Sequence, residues 1–252
     1  MKLVVFGLVA MAMSLALSVA SAEEPTGWQF EITPMAWIAG IEGTVTVDGQ
    51  ETDFDKSAGD LFDYVEFAGG VIGTVQYDRW IFRGQFDAFD LSTDALDVED
   101  RPEGGKLDSQ MYLTGLAAGY QIDGWKEGQT FDLLVALRSL HTENDLVVYG
   151  EGGGEYSKDS DLTDPMVAVR GSIPIWPSKI RGLRLNAMAS IGGGGDSELV
   201  YELQPQIQYL ITEHIAARLG YRRAGWRVES EKNDGKVDFS LAGLNFGVGV
   251  TF

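Results

Sequence analysis

Charged and amide side chains recur at every second position along several segments of this chain, and their chemistry poses the first question. In "WIFRGQFDA", Arg83, Gln85 and Asp87 alternate with Phe82, Gly84, Phe86 and Ala88. In "ELVYELQPQIQYL", Glu202, Gln204, Gln206 and Gln208 alternate with Tyr201, Leu203, Pro205, Ile207 and Tyr209. Glu31, Asp132, Arg138, Arg170, Arg184, Arg218 and Arg222, together with Gln29, occupy the equivalent polar positions of neighbouring segments. Arginines facing carboxylates across a narrow interior can form a sealed network in which each polar group finds a partner. The same surplus of arginine in a wider channel would favour anions. A small barrel's interior is only wide enough for side chains to fill, which favours the sealed arrangement.

Acyl-transfer or hydrolytic chemistry needs a base beside a nucleophile or an activated water. Only His141 and His214 are available. His214 sits beside Glu213 in an expected short turn, and His141 shares the parity of Leu137, away from the polar face. No catalytic residue is predicted. The chain has no cysteine, so disulfides and thiolate metal sites are excluded. Carboxylates crowd three stretches: Asp48, Glu51, Asp53, Asp55, Asp60 and Asp63; Asp94, Asp97, Glu99, Asp100 and Glu103; Glu151, Glu155, Asp159 and Asp161. Such oxygens suit calcium or magnesium and could bridge to anionic lipopolysaccharide. None has the D-x-[DN]-x-[DN]-G spacing of a calcium loop, so they read as solvated, mutually repelling loops. No metal and no cofactor is predicted. The first reading is a structural or passive small-solute permeation role; a surface adhesin or a protein binding divalent cations or lipopolysaccharide through its acidic loops is the second, and a barrel-embedded hydrolase the third.

The elements that position these residues are strands. Period-two alternation runs through nearly the whole chain, and helical periodicity is scarce. The pattern predicts ten strands near 28–47, 65–77, 80–92, 107–122, 130–147, 162–174, 183–192, 198–210, 214–229 and 236–252, with eight or twelve also compatible. Pro34, Gly40 and Gly43 could bend or split the first. Compact turns ("YDRW", "DGWKEGQ", "IPIWPSKIRG", "ITEH") alternate with longer polar connections, as in an up-and-down antiparallel transmembrane barrel with short periplasmic turns. Most runs match the roughly 9–11 tilted residues that cross a bilayer rather than the about 5–6 of a soluble strand. Trp28, Trp80, Trp125, Trp176, Tyr77, Tyr209 and Phe252 all map to one end, as an interfacial belt would, and Trp226 and Phe89 lie toward the other. Ser57 to Asp60 resembles a capping box before "LFDYV", so a single helical turn over the barrel mouth is expected there.

Composition agrees with this class. Met1-Lys2, the apolar run Leu3 to Val19 and Ala20-Ser21-Ala22 form an expected cleavable leader over residues 1–22, leaving a barrel domain at 23–252. With 38 acidic against 19 basic residues the net charge is −19, which speaks against nucleic-acid binding. The last stretch, "LAGLNFGVGVTF", must pair with the first strand, since an open edge in hydrocarbon would leave backbone groups unpaired.

Several motifs add a resemblance. Pro34, Trp37, Gly40, Gly43 and Val45 form a P-x-x-W-x-x-G-x-x-G-x-V opening; Asp60-Leu61-Phe62, Asp78-Arg79-Trp80 and Gly220-Tyr221-Arg222 follow, ahead of a glycine-rich final strand. In these the chain resembles an uncharacterised family of small Gram-negative outer-membrane barrels, with Met35 where that family tends to place an aromatic. A terminal strand closing on phenylalanine, here Phe252, is similar to the signal such barrels present to their assembly machinery. The resemblance implies a fold and a compartment, and supplies no activity; the reading as a whole is of a monomeric barrel in outer-membrane lipid and lipopolysaccharide.

Overall fold

A computed structural model describes residues 27–47, 50–57, 59, 65–98, 101–149, 154–230 and 235–252. The expected leader over residues 1–22 lies outside the described residues, as does the expected helical turn apart from Ser57 and Gly59.

Among the described residues the chain is all-β. The strands are β1 (Trp28–Val47), β2 (Gln50–Lys56), β3 (Val65–Tyr77), β4 (Trp80–Val98), β5 (Arg101–Asp123), β6 (Thr130–Val148), β7 (Gly154–Pro174), β8 (Leu183–Gly192), β9 (Leu199–Leu210), β10 (Ile215–Ser230) and β11 (Gly235–Thr251). Ten of them form a closed, antiparallel, up-and-down barrel. Each pairs with its neighbour in chain order, and β11 returns to β1 over Glu31↔Thr251 through Thr46↔Lys236. Phe252 seals the seam by exchanging backbone hydrogen bonds with Phe30 at 2.8 and 3.3 Å.

β2 is the eleventh strand and not a stave. It folds back on the far half of β1, Ile41↔Lys56 to Val47↔Gln50, while β3 pairs with the near half, Trp28↔Tyr77 to Met35↔Gly70. Pro34, Gly40 and Gly43 therefore do not split β1, which stays one strand and changes partner between Met35 and Ile41.

One expectation needs correcting. The connections read as long loops after the third and fifth staves are mostly strand: β4 continues to Val98, β5 begins at Arg101, and β7 at Gly154. Charged residues, glycines and a proline interrupt the sequence of these arms, so the apolar alternation that reveals a strand fades. Backbone pairing persists regardless, because the ladder bonds main chain to main chain. At the other end the turns are tight. Asp78 takes φ 53° in the two-residue β3–β4 hairpin, and Gly128 and Gly182 take φ 76° and 82° in the β5–β6 and β7–β8 turns.

The outward face carries the membrane band. On β1, Trp28, Phe30, Ile32, Ala36 and Ile38 point outward, and beyond Gly40 the next outward residue is Glu42. At about 3.3 Å per residue and a tilt of roughly 40°, the span from Trp28 to Ile38 stands about 25 Å tall, the height of an outer-membrane barrel's apolar band. At its turn end Trp28 packs on Tyr77 and Trp80 on Tyr120, with ring centroids 4.6 and 5.3 Å apart. Above the band the outward residues become Asp90, Gln110, Ser139, His141, Thr163 and Asp238, a polar collar.

Candidate functional site

The barrel interior is layered. Its turn-end layer holds a cavity of about 350 Å³ walled by Glu31, Arg83, Arg170, Arg184, Arg218 and a ring of amides and hydroxyls. Alternation on nine strands aims these side chains inward, and small residues make room for the long ones. A Cβ added at Gly249, for example, would come within 3.2 Å of the Arg218 guanidinium. Arg218 spans β11 to meet Glu31 bidentately at 2.5 and 2.9 Å, and also donates to Thr33 and Gln208. Arg170 donates to Asp132 at 2.5 Å, and Gln121 satisfies the other carboxylate oxygen at 3.0 Å. Among the described residues Arg184 has only neutral acceptors, the Ser172 hydroxyl and carbonyl and the Gly128 carbonyl. Arg83 makes no hydrogen bond and no ion pair among the described residues.

The middle layer is a neutral quartet of ions. Arg222, fully buried, donates to Asp87 and Glu202, each at 2.8 Å, and Arg138 pairs with Glu202 from the opposite wall. Gln85 donates to Asp87 at 2.8 Å. The Arg222 guanidinium also lies 4.1 Å from the centroid of Trp37, a cation–π contact in a desolvated setting. Two cations and two anions thus compensate one another where an unpaired charge would be costly.

The third layer is apolar. Trp37, Phe89, Met111, Leu113, Leu140, Met166, Val200, Ala224, Trp226 and Leu241 form one buried cluster across the lumen, with Trp37, Leu113, Leu140 and Trp226 at 1 % exposure or less. Trp37 meets Phe89 edge-on at 5.3 Å, and Trp226 stacks on Phe239 at 5.2 Å. The lumen is therefore polar in its turn-end half and middle, and apolar above, which corrects a uniformly polar reading. Sequence reasoning set Trp226 and Phe89 with the aromatic pattern at the far end and Trp37 in the opening motif, and the structure corrects this by burying all three inside; parity carries it, since Arg218, Arg222 and Trp226 are successive fourth residues on one face of β10.

The interior residues singled out from sequence all face the inside of the barrel: Glu31, Arg83, Arg170, Arg184 and Arg218 line the cavity, Asp87, Arg138, Glu202 and Arg222 make up the quartet, and Asp132 is buried behind the cavity wall as the partner of Arg170. Phe252 lies outside, on the seam. His141 is outward, in the collar. Its Nδ1 lies 2.6 Å from Asp161 and its Nε2 2.9 Å from Glu143, and its ring stacks on Tyr112. Hydrogen bonds to Glu143 and then Asp161 raise its pKa above the ordinary imidazole value. Asp161 is also its cross-strand partner in the β6–β7 ladder. His214 sits in the β9–β10 turn, its Nδ1 3.2 Å from the Thr251 carbonyl. Among the described residues no group of histidines and carboxylates is arranged to hold a metal ion.

Comparison with known proteins bears on the fold. No protein family and no characterised sequence relative matches the chain. Among solved structures, the outer membrane protease OmpT from Escherichia coli superposes with a TM-score of 0.58 at 9 % identity, covering 92 % of this chain and 99 % of OmpT. Neisserial surface protein A scores 0.30 at 12 % identity over 91 % of this chain and all of that one. Ail of Yersinia pestis scores 0.36 at 13 % over 89 % and 98 %. The OmpT likeness, at such low identity, is one of fold alone, and nothing rests on the other two. The fold is that of an outer-membrane β-barrel.

Proposed function

We propose that this protein is a monomeric barrel of the Gram-negative outer membrane, exported by a leader within residues 1–22, with its short turns in the periplasm. Its lumen is closed, and its role is structural rather than that of a through-pore. One observation carries the reading: the ion quartet and the apolar cluster lie in series across the interior, and both are buried. An ion would have to cross a packed and largely apolar layer, in which Asp164 is a buried carboxylate on the inward face between Leu162 and Met166, at a cost of several kcal/mol. The motifs around Pro34, Trp37, Gly40 and Gly43 support membership of the uncharacterised family of small barrels named above.

The test is direct. Refolded protein in a planar bilayer should pass no steady current, and reproducible anion-selective steps would overturn the closed lumen. Outer-membrane lipid, lipopolysaccharide and the barrel-assembly machinery are the partners that follow, with Phe252 as the assembly signal. Deleting Phe252 should slow assembly in cells more than it lowers stability after refolding in detergent. Equal effects would reduce Phe252 to an ordinary seam residue. A hydrolase at His141 is disfavoured by its two carboxylate contacts, which leave neither ring nitrogen free to serve a substrate.

A further inference from the structure

The cavity below the ion quartet has features that a filler of the lumen does not need. Four arginines and one glutamate line it, a local positive excess inside a chain whose net charge is −19. Arg170 and Arg218 are neutralised by Asp132 and Glu31. Arg83 and Arg184 form no ion pair among the described residues: Arg83 is enclosed by the barrel, with Glu202 and Glu31 only at longer range, and Arg184 is partly exposed toward the turn end, held by neutral acceptors. A cation enclosed without an ion pair favours a nearby anion. Amide side chains surround these charges: Gln204 and Asn245, each more than nine-tenths buried, line the cavity together with Gln206 and Gln208. At about 350 Å³ the space falls within the roughly 300–1,000 Å³ of small-molecule sites.

We propose that this cavity is a binding site, entered from the periplasm, for a small hydroxylated oxyanion of the sugar-phosphate or hydroxycarboxylate class. The Arg83 and Arg184 forks match the planar oxygens of a phosphate or carboxylate, which a lysine would hold only as a point charge. Gln204, Asn245 and their amide neighbours supply the donors and acceptors that hydroxyl groups need. The quartet closes the far end, so the ligand binds and leaves by one mouth. The side of entry rests on the orientation proposed above; the binding itself does not.

Titration calorimetry on full-length, detergent-refolded protein at fixed ionic strength tests this, with glucose 6-phosphate, citrate, inorganic phosphate and glucose as probes. Saturable binding of glucose 6-phosphate or citrate, tighter than phosphate, with none for glucose, is expected; which of the two binds tighter identifies the source of the oxyanion. Arg83→Gln and Arg184→Gln should each weaken it roughly tenfold or more, as loss of a charge-assisted hydrogen bond does. Arg83→Lys should retain part of the affinity, and Arg227→Gln, at the opposite end, all of it. Failure of both organic anions to bind, or equal weakening by Arg227→Gln, would overturn the site. Steady bilayer currents with binding intact would sink the closed lumen and leave the site standing.

Discussion

The two halves of the barrel interior are built from the same strands with the same inward parity, yet their chemistry is opposite. On β10, Arg218 lines a cavity, Arg222 is fully buried among carboxylates, and Trp226 packs in an apolar cluster. On β1 the sequence Glu31, Thr33, Met35, Trp37 makes the same passage in three steps. Outside the wall the gradient reverses, from aromatic belt and aliphatic band to a polar collar. Alternation decides which side chains enter the lumen; it does not decide whether they meet water, ions or hydrocarbon. That depends on what the opposite wall offers at the same height.

The largest effect should come from the boundary between the halves. Arg222→Gln leaves Asp87 and Glu202 buried with only Arg138 and Gln85 to satisfy them, and removing one partner of a buried ion network costs roughly 3–5 kcal/mol. Urea unfolding in detergent micelles measures it; a loss under about 1 kcal/mol would mean that water reaches the quartet and that the lumen is less closed than its packing implies. Next, Leu113→Ala in the apolar half should cost about 2–5 kcal/mol, the range for a large-to-small change in a packed core. A negligible loss there would erase the distinction between the halves, since it is what a side chain in a water-filled channel would show.

Much of this architecture was legible beforehand, for a physical reason. A membrane barrel must hide every backbone group in the ladder and present apolar residues to lipid, so alternation, strand length and the aromatic belt at Trp28, Tyr77, Trp80 and Tyr209 are each forced by the bilayer. Nothing comparable constrains the arms beyond the collar, where β4 and β7 run on through polar sequence, nor the fold-back of β2 on β1. Inside, parity located Glu202 and Arg222, but their partnership depends on barrel closure: Arg222 and Asp87 are 135 residues apart. Trp37 and Trp226 could have been found by extending the polar face of each strand by one or two inward positions.

A smaller effect separates the collar from the lumen. His141 joins β6 to β7 through Asp161 and to its own strand through Glu143, and these contacts raise its pKa. A histidine whose folded pKa exceeds its unfolded value, about 6.5, adds stability below that value and loses it as pH rises through the folded pKa. The β6–β7 arm should therefore be better protected from hydrogen exchange at pH 6 than at pH 8.5 after correction for intrinsic rates. Replacing both carboxylates, Glu143→Gln with Asp161→Asn, should return the His141 pKa to the ordinary imidazole range by NMR titration. An unchanged pKa would show that the collar field, and not these two contacts, sets it.

The smallest expected change completes the comparison, because it concerns the same residue type at the same parity in the other half. Arg83 makes no ion pair among the described residues and shares its cavity with three further arginines. Arg83→Gln removes like-charge repulsion and breaks no hydrogen bond, so stability should stay within about 0.5 kcal/mol of the parent, in line with substitutions that touch no structural feature. Set beside Arg222→Gln, the pair would give two arginines of one lumen differing several-fold in their effect on stability. A loss at Arg83 as large as that at Arg222 would mean that the cavity arginine also holds the wall together, and that the turn-end half is a structural layer like the one above it. Near-neutral stability with lost anion affinity would instead separate the two halves by purpose: one holds the barrel shut, and the other holds a charge in reserve for a ligand.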